Sequence, residues 1–227
     1  MVTMRERVRA QMTDEIKGCA RRQLASEGAN LSLRAISREM GIASSALYRY
    51  FASRDDLLTA LIIDAYNAIG EAAEVAEGAV DRGAYLQRWQ AIAGAIRGWA
   101  LEHRHEYLLI YGSPVPGYTA PEDTIAPASR TSLLFIQMVQ EAADAGAVDL
   151  PEEELPHGLT TDLRRVLGDG APTSAVMAFA RGFAVWLQLF GHVNFELTGQ
   201  FTNTITDTDA FFDYQVQASA ERLGLRM

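Results

Sequence analysis

Val8, Met12, Ile16, Ala20 and Leu24 recur every four residues, which lays one apolar stripe along a first helix. Glu27-Gly28-Ala29-Asn30 closes that helix, with glycine at the position where helices commonly turn left-handed. Ser32 is placed to cap a second helix that turns Leu33, Ile36 and Met40 inward, and Gly41 permits a sharp turn after it. A third helix is predicted over roughly 44–51, with Leu47 and Phe51 inward. Ser53 followed by Asp56 resembles a capping box and opens a fourth helix through Leu57, Leu58, Leu61 and Ile62.

Helical spacing dominates the rest. Residues 71–83 are acidic and alanine-rich and read either as the tail of the fourth helix or as a loop. A fifth helix over 84–102 carries Leu86, Trp89, Ile92, Ile96 and Trp99, and a short apolar one covers Tyr107 to Tyr111. Gly112-Ser113-Pro114-Val115-Pro116-Gly117 makes an irregular loop. Residues 128–145 are helical again, whereas 149–172, with the acidic run Glu152-Glu153-Glu154, read mainly as loop. A long helix follows Pro172 to about Leu197, and a last one occupies roughly 209–223. Alternation of the strand type never persists, so the fold class is all-α: a three-helix helix-turn-helix head and a larger helical body.

Composition sharpens this picture. The 227 residues are 48% hydrophobic, enough for a substantial core. No uninterrupted apolar run reaches the roughly 18 residues that cross a bilayer, and the charged start MVTMRERVRAQ is no secretory signal, so a membrane partner is not expected. The single cysteine, Cys19, falls beside the first helix's stripe and suits a reducing cytoplasm. Net charge is −9, yet residues 1–54 hold ten basic and five acidic side chains, leaving ten basic and 24 acidic for 55–227. A basic head on an acidic body directs a polyanion to the head. The expected domains are therefore 1–54 for DNA binding and 55–227 for ligand binding and dimerisation.

With Leu47 and Phe51 inward, Ser44, Ser45, Tyr48 and Arg49 face outward. Short serines let a helix backbone approach base edges, where hydroxyls both donate and accept. Tyr48 and Tyr50 offer phenolic groups at phosphate distance. Ser32 at a helix N-terminus suits a phosphate oxygen, and Arg54 can clamp another. The glycine turn, Leu47-Tyr48-x-Tyr50-Phe51 and a basic residue before Asp55-Asp56-Leu57-Leu58 together resemble the TetR family of bacterial one-component repressors, over about residues 10–60. The resemblance implies phosphate contacts from Ser32, Tyr48, Tyr50 and Arg54, and base contacts from Arg34, Ser44, Ser45 and Arg49. Ala43 stands where a Ser or Thr cap is usual, Ser45 replaces a common glycine, and Arg54 replaces lysine.

The resemblance also implies a ligand cavity in the body, for which Trp99, Tyr107, Tyr111, Phe135, Met138 and Trp186 are the candidates. Aromatic and methionine side chains suit an apolar or aromatic effector. Gly94 and Gly98 would narrow such a cavity, if they faced inward, on substitution by a large residue. The segment Trp186 to Leu197, WLQLFGHVNFEL, resembles a C-terminal type named for Trp-His-Gly, with Phe190 in the histidine's place. In the long helix Val176, Phe179, Phe183, Trp186, Phe190, Val193 and Leu197 follow 3-4 spacing, a helix-packing seam. A homodimer interface is expected there and on the last helix, at Phe179, Phe183, Val193, Phe212 and Val216. Such a dimer presents two heads to a palindromic duplex.

Enzyme chemistry finds no foothold. There is no phosphate loop, GxSxG, HExxH or CxxC, and His103 and His105, two apart, point to different helix faces. His157 lies in the predicted loop and His192 near the seam, neither with an evident ligand partner. No metal or cofactor is expected. The sequence reads as a ligand-responsive, cytoplasmic, homodimeric repressor released from operator DNA by a small apolar or aromatic molecule. A helical small-molecule carrier without operator binding, or an enzyme using the cavity, fits fewer of these features.

Overall fold

The computed structural model describes residues 3–29, 31–149 and 154–225; Asn30, Glu152 and Glu153 lie outside them. Among the described residues the chain is helical, with a single isolated bridge between Val148 and Leu225. The helices are α1 (Met4–Glu27), α2 (Leu33–Glu39), α3 (Ser44–Leu47), α4 (Arg54–Gly78), α5 (Tyr85–Glu102), α6 (Arg104–Tyr111), α7 (Ile125–Asp144), α8 (His157–Leu167), α9 (Thr173–Leu197) and α10 (Thr208–Leu223). They form two compact units, Met1–Ala68 with His103–Ala128, and Ile69–Glu102 with Ser129–Met227. The first unit is larger than the 1–54 segment that carries the helix-turn-helix. Leu57, Leu58 and Leu61 share one core with Ile16, Ile36 and Leu47, and Leu109, Val115 and Tyr118 pack against it.

In the first unit the expected caps are in place. Ser32 accepts from the Ala35 amide, and Ser53 and Asp56 exchange side-chain-to-backbone bonds of 3.0 Å each. Gly28 and Gly41 adopt φ of 63° and 66°, where a side chain would be strained. The first helix begins earlier than its apolar stripe. Thr3 and Glu6 form a capping box, and Val8 stands in solvent while Ile16, Ala20 and Leu24 are buried.

In the second unit, α9 packs against α5, α8 and α10. Trp89, Ile92, Ile96, Met138, Val185 and Val193 fill the centre, and the Trp89 indole donates to Ser219 Oγ at 2.8 Å. Arg88, 1% exposed, donates to Glu77 at 2.6 Å, and Arg82 and Glu141 complete the ion cluster. A buried charge is tolerated when paired in this way. Residues 71–78 continue α4. The loop expected over 149–172 contains α8 instead, so His157 begins a helix. Proline, glycine and acidic flanks hide its short amphipathic stretch, in which Leu163 is buried. By length and composition α9 could cross a membrane, with mean hydropathy 1.3 over its best window. It is nonetheless packed into this helical unit, and its Glu196 is paired with Arg97 at 2.6 Å.

His192, buried between α9 and α10, is caged by Phe201, Phe211 and Phe212 at ring distances of 5.1–5.3 Å, and neither of its nitrogens has a hydrogen-bond partner. Burial holds its pKa below the ordinary value, with Arg97 acting in the same sense and Glu196 opposing. The unfolded chain therefore binds this proton more readily than the folded one, so stability is lost as pH falls through the ordinary histidine range. Between about pH 7.5 and 5.5, a window spanning the ordinary histidine pKa, the wild-type melting temperature should fall more than that of His192→Phe, measured by calorimetry. Equal losses would show that His192 is not the responsible group.

Candidate nucleic-acid interface and effector cleft

Only Ser44 to Leu47 are regular α-helix in the element expected to read DNA. Tighter turns carry the chain through Tyr50, and the Phe51 amide closes onto the Leu47 carbonyl at 3.2 Å. Leu47 is wholly buried and Phe51 nearly so, which turns the opposite side of α3 to solvent. Ala43 gives no side-chain cap. Ser44 instead bonds inward, its Oγ 2.9 Å from Ser37 Oγ.

Of the residues expected at DNA, Arg34, Ser45, Tyr48 and Arg49 are exposed, and Ser32, Ser44, Tyr50 and Arg54 are half-buried. Ser44, Ser45, Tyr48, Arg49 and Tyr50 sit on or just after α3, Ser32 and Arg34 lie at the start of α2, and Arg54 opens α4. Besides Ser44, Ser32 and Arg54 carry structural bonds that have no signal in the sequence. Ser32 N–H donates to Gln23 Oε1 at 3.2 Å, tying α2 to α1. Arg54 donates to the Ala29 carbonyl at 2.6 Å and pairs with Asp55 at 3.4 Å, so its guanidinium straps the end of α1 to the start of α4. Arg9, unremarked in the sequence, places its guanidinium 5.4 Å above the Tyr50 ring and 3.4 Å from the Arg49 carbonyl. Its only sequence signal is position: Arg5 and Arg9 fall on the face of α1 that carries Met12 and Ile16.

Cys19, also in this unit, is buried, and desolvation raises its thiol pKa, which leaves a small core residue rather than an activated nucleophile.

The second unit holds a cleft of about 550 Å³ between α7, α8 and α9. Phe135 and Trp186 stack at 5.2 Å on one wall, and Phe179, Gly182 and Phe183 continue it along α9. Ile136, Val139 and Leu167 add apolar surface, while Ser132, Gln140 and Asp144 supply polar groups. Of the six ligand candidates, Phe135 and Trp186 line this cleft. Trp99 and Met138 are buried in the core of the same unit, and Tyr107 and Tyr111 belong to the first unit, with rings 5.1 Å apart. Gly94 and Gly98 face open solvent, and Gly182, whose added Cβ would meet the Phe135 ring at 3.5 Å, is the glycine at the cleft. Of the interface candidates, Phe183 is 53% exposed and Phe179 half-buried, while Val193, Phe212 and Val216 are buried in the chain's own core. The exposed large apolar residues of α9 are Phe183, Leu187 and Phe195.

Residues 19–61 match the family described as bacterial regulatory proteins, tetR family, and residues 89–219 match the tetracyclin repressor-like C-terminal domain. The HTH-type transcriptional regulator Rv1816 of Mycobacterium tuberculosis is 34% identical over 95% of this chain and 94% of its own length. Its counterpart Mb1846 of Mycobacterium bovis shows the same figures. The chain belongs to the TetR family. A crystal structure of SCO4313, described as a regulatory protein, superposes with a TM-score of 0.78 at 34% identity, covering 96% of this chain and 100% of that one. The TetR-family regulator PfmR of Thermus thermophilus shares the fold at TM-score 0.57 and 16% identity, over 89% of this chain and 97% of its own.

This TetR-family chain is a transcriptional regulator with a DNA-binding helix-turn-helix domain, and not an enzyme. Within that head, Arg54 has a structural duty that its charge alone does not convey. Arg54→Ala should lower stability by about 1 kcal/mol through loss of the bond to Ala29, read as a drop of several degrees in melting temperature. A melting temperature unchanged in Arg54→Ala would mean that the strap contributes nothing to stability.

Proposed function

We propose that this regulator is a homodimeric repressor that binds a palindromic operator and is released by an apolar or aromatic small molecule held in the α7–α8–α9 cleft. The observation that carries the ligand response is the cleft itself. Its volume lies in the range of small-molecule sites, and its walls are aromatic and aliphatic with a few polar groups at hand. DNA contact is assigned to Ser32, Tyr48, Tyr50 and Arg54 for phosphates and to Arg34, Ser44, Ser45 and Arg49 for bases, with Arg9 bracing the far end of the reading element. A cytoplasmic location follows from operator binding.

Dimerisation is supported by a strip along α9. Phe183, Leu187, Gly191 and Phe195 recur every four residues, the three large side chains are 53%, 57% and 57% exposed, and a side chain at Gly191 would meet nothing. Rows of this spacing pack into the grooves of a crossing helix, and the glycine lets that helix approach closely. Phe183 belongs both to the strip and to the cleft wall. A ligand that moves Phe183 changes the surface on which the partner subunit rests, and with it the spacing of the two heads. Any ligand that favours the dimer geometry unfit for the operator weakens DNA binding by the same factor that DNA weakens ligand binding.

Selection of duplexes from a random pool provides the operator. Binding to the best duplex should fall by orders of magnitude between about 50 and 200 mM salt, as phosphate-driven association does; indifference to salt would end the DNA assignment of these residues. Screening aromatic compounds for release of that duplex tests the effector site. Ala178→Phe, which fills the cleft from α9, should abolish release while leaving duplex affinity within about threefold. Release that survives in this variant would place the effector elsewhere. Leu187→Glu should yield monomers in sedimentation at micromolar concentration, and a dimer that tolerates this charge would rule out the α9 strip as its interface.

A further inference from the structure

Ser37 is 1% exposed on the inward side of α2. Its hydroxyl oxygen lies 3.0 Å from the Arg34 carbonyl oxygen and 2.9 Å from the hydroxyl oxygen of Ser44. A carbonyl only accepts, and a serine hydroxyl carries a single hydrogen. The Ser37 hydrogen therefore goes to Arg34, since any other direction leaves two oxygens facing each other at 3.0 Å with nothing between them. At 3.0 Å the two oxygens leave no room for a water between them. The short contact to Ser44 then takes its hydrogen from Ser44. At the first position of the reading helix, Ser44 thus has its hydrogen committed inward and its lone pairs left outward.

We propose that Ser37 fixes Ser44 as a hydrogen-bond acceptor, so that Ser44 reads the exocyclic amino group of an adenine or cytosine in the major groove. This rests on the assignment of Ser44 to base contact made above. Adenine N6 and cytosine N4 are the donors that base edges present in that groove, whereas guanine N7 and O6, adenine N7 and thymine O4 accept. To donate to one of those acceptors, Ser44 would withdraw its hydrogen from Ser37. The single hydrogen left, on Ser37, cannot serve both contacts, so one buried oxygen pair would remain at 2.9 or 3.0 Å without a hydrogen, which is costly. An unconstrained serine lacks this preference because its hydroxyl rotates to suit either kind of edge. Ser37 touches no base; it is a positioning residue acting through Ser44.

The test uses the full-length protein and the duplex it selects from a random pool. Single bases in each half-site are replaced by analogues that lack one group. Purine for adenine and 2-pyrimidinone for cytosine remove an amino group, and 7-deazaguanine for guanine removes an acceptor. In wild type, removing one particular amino group per half-site should weaken binding about tenfold. In Ser44→Ala that penalty should vanish, and in Ser37→Ala it should shrink to about threefold, because the freed hydroxyl adapts. Melting temperature and the response to analogues elsewhere in the site report that both variants keep the fold. Ser44→Ala, at a half-buried position, decides between reading of an amino group and reading of an acceptor if Ser37→Ala does not fold. If Ser44→Ala changes the response only to acceptor removal, or if Ser37→Ala keeps the full wild-type penalty, the inference fails while base reading by Ser44 stands. If Ser44→Ala changes the response to no analogue, Ser44 touches no base and that assignment fails with the inference.

Discussion

Four residues of α-helix do not hold an orientation in water, because an isolated helix needs roughly 12 or more residues to persist even marginally. The direction of α3 is therefore imposed from outside. Leu47, fully buried, and Phe51 anchor its inward side in the core shared with α1, α2 and α4. Gly41 takes the left-handed turn that sets its start, and the Ser37–Ser44 bond ties its first residue to α2. At the far end Arg9 meets the Arg49 carbonyl and the Tyr50 ring. A short, externally held helix exposes backbone and small side chains on one side while its other side is fixed by packing, the arrangement that close approach to base edges requires.

The charge excess of the head is less available to DNA than a count suggests. Lys17 and Arg21 are paired with Asp64, Arg21 also with Glu106, Arg22 with Glu39, and Arg54 with Asp55. The first four of these pairs hold α1 to α2, α4 and α6. Arg5, Arg7, Arg34, Arg38 and Arg49 are exposed, and they flank or belong to the helix-turn-helix. Counterion release scales with phosphates neutralised, not with total basic residues. On the contacts proposed above, the salt slope of DNA binding would come from exposed arginines together with Arg54, and the pairs made by α1 stiffen the scaffold that presents them.

In the second unit, order and emptiness are segregated. The buried Arg88 cluster joins α4, α5 and α7, and its geometry leaves little freedom because an unpaired guanidinium at 1% exposure would be severely penalised. The cleft lies along the other flank of α7, where Phe135 and Trp186 stack but larger residues are missing on α9: Ala175, Ala178 and Gly182 face the space. With the ion cluster on one side of α7 and open space on the other, an effector held in the cleft as proposed could move Phe183 without disturbing the ion cluster. That separation is what a population shift needs, since only an element with two accessible packings transmits a ligand's preference.

How much of this was legible in the sequence depended on whether the signal was local. Caps, turn glycines and four-residue spacing are local, and the helix-turn-helix, the all-helical class and the Ser53–Asp56 box followed from them. α8 was not legible, because its amphipathic stretch is short and the prolines, glycines and acidic residues around it read as loop. The residues of the 3-4 seam of α9 fall in different environments, Val176, Val193 and Leu197 buried and Phe183 exposed, because spacing alone does not say which neighbour a face meets. Packing among α5, α9 and α10 buries Val193, Phe212 and Val216, while residues next to the seam, Leu187 and Phe195, are left outside. The cleft was legible only in kind: aromatic residues were countable, but Tyr107 and Tyr111 joined a different core. Hydroxyl direction has no sequence signature at all. A serine at the buried position 37, among Leu33 and Ile36, marks an anomaly in an apolar face, yet the meaning of that anomaly comes only from oxygen positions. On the proposal that Ser44 reads a base as an acceptor, the same two serines in another register would place no constraint on the bases read, and that specificity would reside in a geometry that composition and pattern do not encode.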